Sequence, residues 1–326
     1  MTCASVSELN AVTMHEVRAL SASTYLVTGF GMHLVDNFTV AGVDYGGTYA
    51  ASGTLNVWNP SEAGVRELVD LWQGLSPKFT GLHTCPECTY VRATCNETMA
   101  PTVDYMHVSS AALGVEDNFV VTLRNLNLIA SVNASAPYNV LWLLSSDPAL
   151  STSYRTYRFV DEHDAFYFPH HVSQIDSGRV LVMDNGVKRP DGANFSRAVE
   201  YALDARAGTA NLTWQFEYPL NMSAHTLATR SVRDVESLDT QSAIGNSVTR
   251  MDSGHYLVAF TDEAAANDDD GAASATRSNS LIFDVNEHGR LHAGLVIEGD
   301  SVWGAGTYRV IPYEGIYGEK AACPFQ

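Results

Sequence analysis

Hydrophobic and polar residues alternate in short runs through residues 160–219, which is the pattern of half-buried β-strands. The runs lie at residues 172–175, 179–183, 198–203 and 212–216. Turn-forming residues separate them, namely Asp176-Ser177-Gly178, Asp184-Asn185-Gly186 and Ala207-Gly208. The pattern predicts one sheet of short antiparallel strands that are joined by tight turns.

The same pattern recurs along the chain. When residues 179–182 are aligned with residues 255–258, the turn at 176–178 falls on an identical Asp-Ser-Gly turn, at a spacing of 76 residues (254 − 178). Residues 15–20 and 24–27 match residues 170–175 and 179–182 without a gap, and residues 115–121 form a weaker copy. Recurring strand–turn–strand units are typical of a β-propeller. The sequence therefore predicts an all-β propeller whose blades are joined by loops of different length.

We expect one propeller domain over residues 1–326, because closed all-β folds of this length are common as single units. Residues 1–14 are expected to be a lead-in or a strand that closes the last blade. Residues 262–279 are expected to be an acidic loop inserted between two strands. Residues 62–73 hint at a helix, although their alternation also fits a strand.

The charge of the chain narrows its partners. A formal net charge of −18 argues against nucleic acid, since phosphate binding needs a basic surface. No run of about 18 apolar residues occurs, so no transmembrane segment is predicted. N-x-S/T sequons favour a secreted or lumenal glycoprotein, although Met1 is followed by polar residues rather than an apolar signal segment. The sequons begin at Asn37, Asn96, Asn133, Asn194, Asn211 and Asn221. The oligomeric state is left open.

Cys85 and Cys88 have the spacing of a zinc or redox pair, and Cys95 with His83 would complete a set of ligands. A disulfide between Cys95 and either of the first two cysteines is the favoured alternative in a sequon-bearing chain. We therefore predict no metal site.

Histidines stand at the start of several predicted blades. His107 precedes the strands of residues 119–132, while His170 and His171 precede those of residues 172–183. In a propeller, the innermost strands of all blades converge on a central channel. These imidazoles are therefore expected to face that channel, and several together favour a chemical role.

Three groups of motifs carry a resemblance. They are Y-M-H-V-S-S with R-N-L-N, H-H-V-x-Q-x-D-S-G-x-x-L-V-M-D-N-G with S-R-A-V-E-Y-A-L-D and T-W-Q-F-E-Y, and G-A-G-T-Y-R-V-I-P-Y-E-G-I-Y. Together they resemble the PAPS-independent arylsulfotransferase family, from about residue 15 to residue 317. The resemblance implies a six-bladed propeller, preferred over five or seven blades, with its active site in the central channel. It implies no cofactor, and its partners would be a small-molecule aryl sulfate and a phenol.

Sulfuryl transfer between phenols needs a nucleophile, donors around the sulfuryl oxygens and a proton donor for the leaving phenolate. The resemblance assigns these catalytic roles to His107, His170 or His171, and Arg197, with the transferred group carried as a sulfohistidine. An ion pair between Arg197 and Glu200 across a turn is an equal alternative for that arginine. The residues expected to bind substrate are Arg124, Asn185, His225, Asn246 and Arg309, although Asn185 also suits a turn.

The chain departs from the family at one position. The resemblance places the nucleophilic histidine before the second Asp-Ser-Gly turn, where residues 242–248 contain no histidine. His170 or His171 is therefore the first choice of nucleophile, and His225 the second. The alternative is a non-catalytic propeller that binds a ligand or a protein at its channel.

Overall fold

A computed structural model describes residues 11–36, 39–40, 43–44, 47–62, 65–82, 102–193, 195–217, 245–264, 277–297 and 309–310. This part of the chain consists almost entirely of β-strands. The strands are β1 (Ala11–Ala19), β2 (Tyr25–Val35), β3 (Thr39–Val40), β4 (Val43–Asp44), β5 (Thr48–Trp58), β6 (Val65–Asp70), β7 (Thr102–Asp104), β8 (Val108–Leu113), β9 (Asn118–Leu123), β10 (Leu128–Asn133), β11 (Val140–Ser145), β12 (Thr156–Phe159), β13 (Pro169–Asp176), β14 (Arg179–Asp184), β15 (Arg197–Asp204), β16 (Thr209–Glu217), β17 (Ser247–Arg250), β18 (Tyr256–Ala264), β19 (Arg277–Val285) and β20 (Leu291–Ile297). Two one-turn helices, α1 (Trp72–Leu75) and α2 (Pro77–Thr80), follow β6.

The strands form antiparallel meanders of four. In the described residues these are β1-β2-β5-β6, β8-β9-β10-β11, β13-β14-β15-β16 and β17-β18-β19-β20, here called blades 1 to 4. Strand β12 pairs in parallel with both β11 and β16, and so joins blades 2 and 3 into one nine-stranded sheet. The strands predicted from the alternation at residues 172–216 are confirmed as blade 3.

The blades pack face to face. One hydrophobic cluster lies between blades 1 and 2, a second between blades 2 and 3, and a third between blades 3 and 4. Strand β14 shows how the period-two pattern builds this stack. Val180 and Val182 point into the second cluster, whereas Leu181 and Met183 point into the third. A strand buried on both faces in this way has neighbours on both sides.

The first strand of each blade is its innermost strand. Strand β1 contacts β8, β8 contacts β13, and β13 contacts β17. Four-stranded meanders that stack face to face and converge on their first strands are the architecture of a β-propeller, as predicted. The described residues hold four blades, and six blades stay a prediction.

Three local expectations have different outcomes. Strand β1 begins at Ala11, inside the predicted lead-in, whose first ten residues lie outside the described part. Residues 65–70 form β6, and the hinted helix is reduced to α1 after it. Strands β18 and β19 continue into the predicted acidic loop from both sides, while residues 265–276 lie outside the described residues. The five cysteines also lie outside them, so the predicted disulfide stays a prediction.

Candidate active site

The inner strands of three blades begin next to a non-glycine residue with positive φ. These residues are His107 before β8 (φ 49°), Phe168 before β13 (φ 53°) and Asn246 before β17 (φ 77°). A side chain in this left-handed region costs free energy, on the order of 1–3 kcal/mol, and such strain concentrates at functional sites. The end of the propeller where the inner strands begin is therefore the place to look for chemistry.

His107 is held by a carboxylate. Its Nδ1 lies 2.5 Å from Oδ2 of Asp104, the last residue of β7. Strand β7 is fixed by parallel pairing with β5, and Asn125 donates its side-chain N–H to the carbonyl of Asp104 at 2.6 Å. The backbone N–H of Arg124 donates to the carbonyl of His107 at 3.0 Å. A carboxylate at Nδ1 fixes the proton there and leaves Nε2 as the nitrogen that can exchange a proton.

His15, on β1, packs edge-on against His107 with ring centroids 4.8 Å apart. Burial lowers the pKa of His15 to about 4, and the neighbouring charge of His107 lowers it further. His15 is therefore neutral near neutral pH. The sequence motifs did not select His15, although its gapless match to His170 in the repeat was a signal for it.

His170, the second residue of β13, is buried and bonded to blade 4. Its Nδ1 lies 2.9 Å from the carbonyl oxygen of Asn246, an acceptor, so Nδ1 carries the proton and Nε2 keeps its lone pair. Asn246 is itself fixed, because its amide donates to Oδ1 of Asn185 at 2.9 Å and accepts from the backbone N–H of Thr261 at 2.8 Å. Burial holds the pKa of His170 well below its usual value, with a further contribution from Arg309. The result is a neutral imidazole in one tautomer.

His171 has different surroundings. Its Nε2 lies 3.3 Å from Nη2 of Arg18, and its Nδ1 lies 3.4 Å from the backbone N–H of Val248. Burial and the charge of Arg309 hold its pKa well below the usual value. Both ring nitrogens face donors of the protein, so His171 is engaged more completely than His170.

Arg124 supplies positive charge among these imidazoles. It begins a 3-10 turn, Arg124–Leu126, directly after β9, and its guanidinium lies over the ring of Phe168 at 4.8 Å from the centroid. Burial is the main cause of the lowered pKa of both His15 and His170, and the charge of Arg124 adds to both shifts. Arg124 therefore lies near both histidines. We call His15, Asp104, His107, Arg124 and His170 the inner cluster.

Arg309 braces the inner strands. Its Nη2 donates to the carbonyl oxygens of His15 at 3.2 Å and Ser109 at 3.1 Å, and it forms an ion pair of 3.2 Å with the buried carboxylate of Glu16. The next backbone N–H, of Val310, donates to Oγ of Ser247 at 3.0 Å. These two residues thus tie together β1, β8 and β17. Arg309 lies at the predicted location, but its contacts are those of a brace.

Arg197 is enclosed by protein groups. Its Nε donates to Asp184 at 3.0 Å, its Nη1 to Gln215 at 2.9 Å, and its Nη2 to the carbonyl oxygens of Asp164 and Ala165 at 2.9 and 3.0 Å. Its side chain is 4% exposed. These contacts give Arg197 a structural position and do not place it in the inner cluster.

The alternative partner of Arg197 is also excluded by its contacts. Glu200 pairs instead with Arg179 at 3.2 Å and accepts the hydroxyl hydrogen of Tyr256 at 2.7 Å. Asp184, the true partner of Arg197, is shared with Arg189. A sequence motif cannot distinguish these two carboxylates, because both lie close to Arg197 in the blade.

The remaining predicted residues are accounted for as follows. Asn185 occupies the turn after β14 and contacts Asn246, so it supports His170 indirectly. His225 lies outside the described residues, as do residues 242–244 of the segment that lacks the expected histidine. Within the described ranges, no group of histidine, cysteine and acidic residues has the geometry of a metal site. In the same ranges, no helix has the length and apolar character needed to cross a membrane.

Solved structures resemble the chain only slightly. A hypothetical selenium-binding protein from Sulfolobus tokodaii matches with a TM-score of 0.33 at 11% identity, covering 63% of this chain and 42% of that chain. Sqt1 of Saccharomyces cerevisiae matches with a TM-score of 0.31 at 6% identity, covering 82% and 50%. An endo-arabinase from Bacteroides thetaiotaomicron matches with a TM-score of 0.37 at 8% identity, covering 89% and 81%. The chain spans half or less of the first two proteins, and TM-scores of this size support no inference about function.

The comparison with protein families is decisive. No curated protein matches the sequence, but the family model of the Arylsulfotransferase (ASST) family matches residues 58–280, which is more than two thirds of the chain. The matched segment contains His107, Arg124 and His170, whereas His15 and Arg309 lie outside it. The chain belongs to the arylsulfotransferase family.

Proposed function

We propose that the protein transfers a sulfuryl group from an aryl sulfate to a phenol, with His170 as the residue that carries the group. Membership of the family supports the reaction class. The observation that carries the assignment is the contact between Nδ1 of His170 and the carbonyl of Asn246, since it leaves the lone pair of Nε2 on a neutral ring. A neutral imidazole with a fixed tautomer is a competent nucleophile at neutral pH.

In the first step, Nε2 of His170 attacks the sulfur, an N–S bond forms and the bond between sulfur and the aryl oxygen breaks. The leaving phenolate takes a proton from Nε2 of His107, whose imidazolium form is stabilised by Asp104. The first phenol then leaves, and His107 is neutral.

In the second step, the acceptor phenol gives its proton to Nε2 of His107 and its oxygen attacks the sulfur. The N–S bond breaks, and its electron pair returns to His170. Each residue ends in its starting state, so His107 acts once as acid and once as base.

Arg124 is the cation assigned to the sulfuryl oxygens. Its position near His15 and His170 and its stack on Phe168 support this role. An oriented guanidinium stabilises negative charge on such oxygens more effectively than water does. This assignment replaces Arg197, whose donors are taken up by Asp184, Gln215 and backbone carbonyls.

The test follows release of 4-nitrophenol from 4-nitrophenyl sulfate with phenol as acceptor. We expect phenol-dependent release by the wild-type protein and loss of nearly all activity in His170→Ala. His255→Ala is the matched control, because that imidazole is also paired with a carboxylate, Asp284, but lies at the far end of blade 4. Mass spectrometry of protein incubated with donor alone should show one added sulfuryl group, absent in His170→Ala. Equal rates in His170→Ala and wild type would remove the assignment of His170.

A second candidate function is a non-catalytic propeller that binds small aryl ligands. The absence of a histidine in residues 242–248 favours it. Calorimetry distinguishes the two proposals, since a binding module would bind 4-nitrophenyl sulfate without releasing 4-nitrophenol, with or without phenol.

A further inference from the structure

We propose that His15 is a further substrate-binding residue of this site, donating a hydrogen bond from a neutral ring to the phenolic oxygen. This inference rests on the proposed function, and it adds a residue from blade 1 that lies outside the segment matched by the family. Three observations carry it: the position of His15, the fixation of its backbone and the charge of its surroundings.

The position of His15 is equivalent to that of His170. The gapless match between residues 15–20 and 170–175 places both histidines at the same point of an inner strand, β1 in one blade and β13 in the other. The ring of His15 meets the edge of His107 at 4.8 Å. His15 also contributes to the lowered pKa of His170, after burial and Arg309, so it lies near both members of the proposed reaction.

The backbone of His15 is held rigidly. Its carbonyl oxygen accepts from Arg309, and the next residue, Glu16, is buried in an ion pair with the same guanidinium. Val310 continues this brace to Ser247 on β17. A ring on such a support can hold the constant position that binding a small ligand requires.

The charges around His15 keep it neutral. The groups facing it are Asp104, His107, Arg124 and Arg309, and with burial they lower its pKa to about 4. A neutral imidazole offers an N–H whose charge does not change between mildly acid and alkaline pH. This suits the oxygen of a phenol, which becomes negative when its bond to sulfur breaks, because the donor stabilises that charge without titrating.

This role would also restore a third imidazole to the site. The segment at 242–248 lacks the histidine that the family resemblance implies. His15 reaches the same cluster from the opposite end of the described chain. It takes the part of a donor to the phenolic oxygen, while His107 moves the proton and His170 carries the sulfuryl group.

The first measurement is phenol binding by calorimetry. We expect His15→Ala to weaken phenol binding roughly tenfold, as for loss of one hydrogen bond, and His15→Gln, which keeps an N–H donor, to weaken it less. His292→Ala is the matched control, because His292 makes the same edge-on contact with a histidine, His255, on an exposed surface. Unchanged phenol binding in His15→Ala overturns the inference, and so does a wild-type protein that binds no phenol.

The second measurement separates this inference from the proposed function. With aryl sulfates whose leaving phenols differ in acidity, His15→Ala should react on the order of a hundredfold more slowly and depend more steeply on leaving-group acidity. An unchanged slope overturns the inference while transfer itself stands. A wild-type protein that transfers nothing, yet loses phenol binding in His15→Ala, removes the proposed function and keeps this inference.

Discussion

Two regions of the propeller contain the same three side chains, one aspartate and two histidines. In the inner cluster, Asp104 bonds His107 at 2.5 Å and His15 packs edge-on against that ring at 4.8 Å. In blade 4, Asp284 bonds His255 at 2.7 Å and His292 packs edge-on at 5.3 Å. We call the second group the outer cluster. It lies at the turn between β17 and β18, the opposite end of the inner strand from Asn246.

The two clusters differ in their surroundings rather than in their composition. The central histidines are similarly exposed, with 24% for His107 and 30% for His255. Asp104, however, is 4% exposed, whereas Asp284 is 25% exposed and His292 is an exposed residue. The inner cluster also has Arg124 and His170 beside it. Buried charge and converging strands, rather than the residue types alone, distinguish a candidate site.

Burial alone is not sufficient either. Arg197 is as deeply buried as Asp104, but its donors end on Asp184, Gln215 and backbone carbonyls. A buried charge in such a complete set of partners stabilises the fold and offers nothing to a ligand. The comparison therefore predicts which substitutions affect turnover and which affect stability.

The largest expected effect is that of Asp104→Asn on turnover. Without the carboxylate, His107 loses the partner that fixes its tautomer and stabilises its cation, so kcat should fall by a factor on the order of 10²–10⁴. The KM for 4-nitrophenyl sulfate should change little, because Asp104 acts through His107 rather than on the donor. Asp284→Asn, in the outer cluster, should retain wild-type kcat. Equal effects of the two substitutions would erase the distinction between the clusters.

Arg197→Ala should act on stability. It leaves the buried carboxylate of Asp184 with Arg189 as its remaining guanidinium partner and should lower the free energy of unfolding by about 3–5 kcal/mol. Urea denaturation measures this loss. Arg206→Ala is the control, since Arg206 is exposed in the turn after β15, and its effect should stay within about 0.5 kcal/mol. A stable Arg197→Ala protein that has lost transfer would return Arg197 to the catalytic role implied by the family resemblance.

The pH dependence of stability is the next test. Burial lowers the pKa of His15 to about 4, below the value of about 6.5 expected in the unfolded chain. The unfolded chain therefore binds a proton between these values that the folded chain excludes, and stability falls as pH falls from about 6.5 towards 4. Above about pH 6.5 this contribution to the slope is absent.

His15→Gln removes this one titrating group. Between about pH 6.5 and 5, its free energy of unfolding should fall less steeply than that of wild type, by less than about 1.4 kcal/mol per pH unit because the ring is partly exposed. Urea denaturation at several pH values gives the slopes. His292→Gln is the matched comparison. If its slope departs from wild type as much as that of His15→Gln, the contrast between the clusters does not hold.

The fold was accessible from the sequence because its signals are local. Alternating residues predicted the strands of blade 3, and the repeated Asp-Ser-Gly turn, aligned at a spacing of 76 residues, predicted a second blade of the same kind. The same repeat positioned His170 correctly at the start of an inner strand. Strand periodicity and turn chemistry act over a few residues, so a linear sequence displays them directly.

The site was less accessible because its contacts are distant in sequence. Arg309 meets the carbonyl of His15 across 294 positions, and Arg18 meets His171 across 153. No local pattern encodes these pairs. The choice between Asp184 and Glu200 as partner of Arg197 failed for a different reason, since it depends on which face of the strand each carboxylate occupies.

The smallest expected effect is that of His292→Ala on stability. The exposed ring of His292 contributes an edge contact to His255, while the bond between His255 and Asp284 remains after its removal. We expect a change in the free energy of unfolding within about 0.5 kcal/mol, measured by urea denaturation, and unchanged turnover. A loss greater than about 1.5 kcal/mol would mean that an edge-on imidazole contact is itself strongly stabilising. The effects of His15→Ala would then include a structural part, and only the leaving-group slope would report on its contact with the phenol.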